Sequence, residues 1–424
     1  MKQKQLKSVI TCDLEGRIET FNRGAEQIFG YDSSEVVGKK RVSLFSPGEV
    51  VLGHVVNWLK TAREKGEYRT QTVFLRRDGT PFAADIRITP TFRNGKQIGY
   101  CGVTVPRLDV DPESARPHIS LATKLFSWLV ITRAPFLTAT IVPILIGAAW
   151  VVANQTASPF PGLVFGLVLV GGVAMHIAAN TFNDYFDWRS GTDPENNAYF
   201  TPFTGGSRSI ELGLISEGGL LRVALSALAV AVVAGMALLL VRGPGLLPFG
   251  LIGTFFLYFY TAPPIRLAAR RGLGELAVGL CFGPLMVAGT SYALTGDLAP
   301  VDFLVGAPIG LLTTAILWIN QFPDAAADAR TGKINLVVVL GKQRARWGFL
   351  ALMLGSFGIV ILGVLADLLP QGALLAVAGL PLAAYTTRIL FRHYADRSLI
   401  KANSLTIQLH LLAGILLAVG LWLS

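Results

Sequence analysis

The sequence predicts two regions of different fold class: an N-terminal α+β head, then an all-α bundle of nine transmembrane helices. Three observations predict it. Of 424 residues, 52% are hydrophobic and only 15% charged, with a mean hydropathy of +0.52. The charge is concentrated at one end, since residues 1–117 hold 19 of the 37 Lys and Arg and 14 of the 27 Asp and Glu. From about Leu125 the chain becomes a succession of apolar runs. Each approaches the about 20 residues of helix that cross a hydrocarbon core of roughly 30 Å.

In the head, SVITCDLEGRIETFN gives two short strands around a turn, AEQIFGYDSSEVVGK short helices, and VVLGHVVNWLKTAREKG an amphipathic helix. Three strands follow, YRTQTVFLRR, TPFAADIRITPTFR and KQIGYCGVTVP, joined where Asp78 and Gly79, and then Asn94 and Gly95, signal hairpins. This order, with FNRGAEQIFGY, the RRDGTPF hairpin and the closing GYCGVTV strand, resembles a PAS sensory domain over residues 6–107. The resemblance implies a fold and leaves the ligand unknown. His54 stands without a second haem-ligand signature, and the Cys-centred motif of flavin-binding light sensors is missing. Cys12, Cys101 and Cys281 are odd in number and lie far apart, which argues against both a disulfide framework and a zinc site. The expected division is a head at 1–107, a Pro- and acid-rich linker at 108–117, and a membrane region at 118–424.

Nine spans are expected at about 125–153, 160–186, 216–241, 246–262, 273–295, 301–322, 346–366, 370–390 and 403–423. Loops after the even-numbered spans carry Arg189, Arg208, Arg266, Arg270, Arg271, Arg330, Lys333, Lys342, Arg344, Arg346, Arg392, Arg397 and Lys401. The opposite loops carry essentially Arg242 alone. By the positive-inside rule the basic loops face the cytoplasm of an inner, cytoplasmic membrane. The N-terminus has no apolar core of signal-peptide length, so the head is expected on the same side. The same rule accounts for much of the formal charge of +10, and nucleic-acid binding is not expected.

Two acidic clusters end apolar helices on that side, NTFNDYFDWRSGTD at 180–193 and NQFPDAAADARTGK at 320–333. At helical pitch Asn180, Asp184 and Asp187 fall within about 60° of one another, and Asn320, Asp324 and Asp328 within about 80°. An Asp at mid-membrane costs roughly 2.5–3.5 kcal/mol, so four near the spans imply a hydrated cavity and a task. Facing carboxylate and amide groups suit a hard divalent cation, and such a cation suits a diphosphate. Arg208, Arg266 and Lys333, in loops on the same side, are candidate phosphate partners or, alternatively, topology markers. Asp193, past Ser190 and Gly191, is as readily a turn cap as a ligand. His176, one turn before Asn180, reads as a packed histidine outside the site.

These motifs, NxxNDYxDxxxGxD, GGSR, YTxPPxRL followed by GLGE, and DxxxDxxxGK, resemble those of the UbiA superfamily of intramembrane aromatic prenyltransferases over residues 118–424. Within it they are similar to the branch that uses 1,4-dihydroxy-2-naphthoate in menaquinone biosynthesis. The resemblance implies Mg2+-dependent transfer of a polyprenyl group from its diphosphate to an aromatic acceptor, with the lipid bilayer as surroundings. Asp184, Asp187, Asp324 and Asp328 would be metal and diphosphate ligands, and Asn180, Asn183, Arg208, Tyr260, Arg266, Asn320 and Lys333 substrate contacts. Tyr260 is equally an interfacial anchor. The chain departs from the pattern in KINLVVVLG, where Asn335 and Val339 stand at positions that usually hold Thr and Arg. Other acceptors stay open: a hydroxybenzoate, a lipid glycerol phosphate or a porphyrin-derived alcohol. So does a non-catalytic membrane sensor of isoprenoid or quinone.

Overall fold

In a computed structural model, residues 6–154, 160–191 and 206–424 are described. The chain divides into two compact units, one comprising Met1–Ile131 with Arg208–Ser216 and the other Thr132–Ser207 with Glu217–Ser424.

The first unit is built on an antiparallel five-stranded sheet of order β2-β1-β5-β4-β3, formed by β1 Ser8–Asp13, β2 Ile18–Phe21, β3 Tyr68–Leu75, β4 Pro81–Arg93 and β5 Lys96–Pro106. The turns fall where the sequence places them: Gly79, Asn94 and Gly95 all adopt positive φ. Helix α1, Arg23–Phe29, is capped by the Asn22 side chain on the Ala25 amide, and α2, Val56–Lys65, continues a helical run from Gly48. One end of the core is aromatic, with the Phe29 ring 4.3 Å from Phe45 and 5.7 Å from Phe82. Burial pushes the Cys12 thiol up to about 11, which keeps it a protonated core residue. His54 Nε2 donates to the His118 carbonyl at 3.1 Å, since a carbonyl oxygen can only accept. Helix α3, Leu121–Ile131, belongs to this unit and exposes Leu121, Leu125, Phe126 and Trp128.

The second unit is all helix. Among the described residues eight helices are long and apolar enough to cross a membrane: α4 Ala134–Asn154, α5 Gly162–Arg189, α6 Glu217–Arg242, α8 Leu273–Thr295, α9 Pro300–Arg330, α11 Lys342–Leu365, α12 Gln371–His393 and α13 Arg397–Trp422. The expected fourth span is α7, Pro244–Phe259, which is apolar but shorter. The expected first span, 125–153, is corrected: α3 ends at Ile131, Arg133 takes a left-handed φ of 53°, and the membrane-length helix begins at Ala134. Pro135 forces this, because a proline resists continuing the helix that precedes it.

Helix α9 is central, packed on α4, α8, α11 and α13. Its approach to α8 is set by glycine. A Cβ at Gly283 would lie 2.5 Å from the Gly310 Cα, and one at Gly306 2.5 Å from the Gly283 carbonyl oxygen. Small residues at four-residue spacing thus bring the two backbones together, as in membrane helix pairs generally. This contact fixes Glu275 at the start of α8 beside the acidic end of α9.

Candidate active site

A cavity of about 640 Å³ runs between α4, α5, α6, α7, α8 and α9. Its walls are largely apolar, with Ile144, Met175, Leu239, Phe256 and Phe282 among them. Polar groups come from the acidic helix ends, the α7–α8 loop and the turn after α9, with Asn180, Asn183, Asp187, Tyr260, Asn320, Asp324, Asp328 and Lys333 among them, and Arg133 joins them from the residue before α4. The two sequence-distant acidic motifs therefore share one chamber with a greasy corridor.

At the end of α5, Asp184 and Asp187 are 3% and 7% exposed. The Ser207 amide donates to Asp184 Oδ2 at 3.1 Å, while Oδ1 is buried without a hydrogen-bond partner and lies 3.6 Å from the Arg133 guanidinium. Asp187 accepts from Lys333 Nζ at 3.0 Å. Burial opposes the Lys333 charge, but the carboxylates of Asp187 and Asp328 outweigh it and hold the ammonium above the usual lysine range. Asn180 Nδ2 is buried without a partner at the cavity wall.

At the end of α9, Asp324 and Asp328 line the cavity one turn apart. Asn335 Nδ2 donates to Asp328 Oδ2 at 2.8 Å, and the Asp328 carbonyl accepts the Lys333 amide at 2.8 Å. The turn leads into α10, Leu336–Leu340, whose first amide donates to Glu275 Oε1 at 2.8 Å. The same oxygen accepts Gln321 Nε2 at 3.1 Å, so a buried carboxylate on α8 ties α9 to the turn that carries Lys333.

Asn320 accepts from Asn403 at 2.7 Å. Of the other residues singled out by sequence, Tyr260 lines the cavity, whereas Arg266 and Asp184 are not among its lining residues. Arg208 belongs to the first unit, where its guanidinium meets Glu211 at 2.6 Å. Asp193 lies outside the described residues. His176 is packed, hydrogen-bonding Thr140 at 2.6 Å against the Phe282 ring, though one edge reaches the cavity. Sequence reasoning missed Arg133, Glu275 and Asn335 as contributors. The signals were an Arg ahead of Pro135, the acid closing GLGE, and the departure at 335.

The donors at the acidic helix ends are carboxylate and amide oxygens, which is the chemistry that suits Mg2+. Among the described residues no three His, Cys, Asp or Glu already converge as a metal cage. Mg2+ is usually held by one or two carboxylates together with substrate phosphates. The unpartnered Asp184 Oδ1 is an oxygen with bonding capacity to spare.

Comparison with known proteins agrees with this geometry. Residues 6–105 match the PAS domain model, and residues 140–422 match that of the UbiA prenyltransferase family. The chain is 29% identical to a 2-carboxy-1,4-naphthoquinone phytyltransferase of Synechocystis sp., over 72% of its own length and 95% of that protein. It is 32% identical to a 1,4-dihydroxy-2-naphthoate octaprenyltransferase of Mycobacterium tuberculosis (62% of this chain, 84% of that one). To the Escherichia coli protein of the same name it is 28% identical (70% and 96%). With the family model spanning most of the chain and the acidic motifs of both helix ends gathered on one cavity, the protein belongs to the UbiA prenyltransferase family: it is a multi-pass membrane prenyltransferase behind a PAS domain.

Proposed function

We propose that this enzyme transfers a polyprenyl group from its diphosphate to 1,4-dihydroxy-2-naphthoate, in menaquinone biosynthesis, in a Mg2+-dependent reaction. The observation that carries the reading is the composition of this cavity: carboxylates, amides and an ammonium at one end, hydrocarbon along the rest. The apolar walls suit an isoprenoid tail and shield the allylic cation from water as the C–O bond breaks. Lys333 contributes a fixed positive charge for phosphate oxygens, and Asn180 Nδ2 an uncommitted donor. Asp184, Asp187, Asp324 and Asp328 would hold Mg2+, which when bound neutralises the leaving diphosphate. Arg133 lines the same cavity with a buried, unpartnered Nε. It suits the carboxylate of an aromatic acid, and this favours a naphthoate over an uncharged acceptor.

In this reading Arg208 and Arg266 serve the basic, cytoplasmic side rather than the cavity wall, and the active-site mouth opens to the cytoplasm of the inner membrane. The head, 1–107, joined by a linker at 108–117 to the enzyme region 118–424, regulates and does not catalyse. The test is turnover of radiolabelled prenyl diphosphates of several lengths against a panel of aromatic acids and lipid alcohols, with Mg2+. Transfer to the dihydroxynaphthoate at a rate at least tenfold above the other acceptors is expected. Preferential transfer to another acceptor replaces the substrate, and binding without turnover points to a sensor. Deleting residues up to Ser114 is expected to leave basal transfer within about twofold; loss of turnover in a folded truncation would move the head into the catalytic machinery.

A further inference from the structure

We infer that Asn335 is a positioning residue that fixes Asp328 for the metal, an inference that rests on the Mg2+ reading of the site. The amide is 1% exposed and uses both of its ends. Its Oδ1 accepts the Val338 amide at 2.9 Å as the N-cap of α10. Only an oxygen can accept that N–H, so the NH2 group is forced to face Asp328, and Nδ2 donates to Asp328 Oδ2 at 2.8 Å. One carboxylate oxygen is thereby committed, and the other is left for a cation.

The direction of control follows from what holds Asn335. Its neighbours are tied independently of Asp328's side chain: Leu336 by Glu275 Oε1 at 2.8 Å, and Ile334 by the Arg271 amide at 2.8 Å. The asparagine is thus a fixed point, and the aspartate, at the last turn of a long helix, is the group that needs one. Groups that orient a metal ligand from behind are worth roughly 10–100-fold in metal affinity. A threonine has a hydroxyl that can likewise accept the Val338 amide and donate to a carboxylate. The substitution of one for the other keeps the chemistry.

The experiment is Mn2+ titration by electron paramagnetic resonance of the full-length protein in lipid nanodiscs, with the unsubstituted protein and three variants verified as folded by thermal melting. Asn335→Ala, which loses cap and donor, is expected to weaken Mn2+ roughly 10–100-fold. Asn335→Asp keeps the cap but turns the donor into an acceptor, and is expected to weaken it similarly. Asn335→Thr restores both and is expected within about threefold of the unsubstituted protein. The turnover of the alanine variant should recover as Mg2+ is raised. Unchanged affinity in the alanine variant, or unchanged or tighter affinity in the aspartate variant, overturns the positioning role while the metal reading stands. If the unsubstituted protein binds no Mn2+ with or without prenyl diphosphate, the metal reading fails and this inference with it. Should the alanine variant not fold, the aspartate and threonine variants decide alone.

Discussion

At the end of α5 the carboxylates are held by cations, with Arg133 3.6 Å from Asp184 and Lys333 3.0 Å from Asp187. At the end of α9 Asp328 is held by a neutral amide, Asn335 at 2.8 Å. The two motifs share an Asn-and-Asp pattern, yet their charge balance differs. A carboxylate in direct contact with a cation gains less from a metal than one whose direct partner is a neutral amide and which feels Lys333 only at longer range, as Asp328 does, because the metal then competes with or repels the resident cation. We therefore expect Asp328 to hold the metal more strongly than Asp184 or Asp187. The α5 end then fits the second task, that of presenting Arg133 and Lys333 to the anionic groups of the substrates.

The largest effect should come from the α9 end. Asp328→Asn keeps the shape and removes a hard anionic ligand, and a metal that stabilises developing charge is worth several kcal/mol. Transfer is expected to fall on the order of 10³-fold, with membrane insertion and melting temperature unchanged. Asp187→Asn should cost less in rate and more in stability, since it strands the Lys333 ammonium. Equal rate losses at both positions, measured at saturating prenyl diphosphate, would erase the difference between the ends.

Metal removal asks the same question without mutation. Exhaustive chelation should abolish transfer in the unsubstituted protein, and titrating Mg2+ back should restore it. The Mg2+ needed for half-maximal rate should rise further in Asp328→Asn than in Asp187→Asn. Turnover that survives chelation would break the metal assignment for both ends.

Much of this contrast was hidden in the sequence, and for a physical reason. Helical periodicity exposes residues of one helix that share a face, so Asn180, Asp184 and Asp187, or Asn320, Asp324 and Asp328, were legible as sets. So were the PAS strands, whose hairpin turns at Gly79 and Asn94–Gly95 obey local backbone rules. Arg133, Glu275 and Asn335 act through partners 51, 61 and 7 residues away, and no local period reports such pairings. Arg133 was also concealed by hydropathy: apolar residues on either side read as a single span, whereas the chain breaks there before Pro135. Arg208 shows another limit of local pattern. A basic residue in GGSR looked like a phosphate partner, and its guanidinium is engaged with Glu211.

Lys333→Met sharpens the comparison at intermediate size. The variant keeps length and apolar stem but leaves Asp187 buried with no ammonium, a change of about 3 kcal/mol in stability by analogy with broken buried pairs. If Lys333 serves the diphosphate, KM for the prenyl substrate should rise roughly 10–100-fold while kcat at saturation falls less. A fall in kcat alone would mean that Lys333 acts only in the transition state.

The smallest expected effect is at Arg133, and it separates the two substrates. Among the described residues its side chain pairs with the Asp184 carboxylate at a loose 3.6 Å, stacks 4.9 Å from the Phe136 ring, and leaves Nε unpartnered. If the free face of the guanidinium receives the acceptor carboxylate, Arg133→Lys should raise KM for the aromatic acid about tenfold, because an ammonium cannot reproduce a two-pronged guanidinium contact. KM for the prenyl diphosphate should stay within about twofold. An ester or amide of the acid should bind the unsubstituted enzyme as weakly as the acid binds the lysine variant. Equal rises in both KM values would mean that Arg133 acts through Asp184 on the whole site, and the α5 end would then lose its claim to an acceptor-binding group.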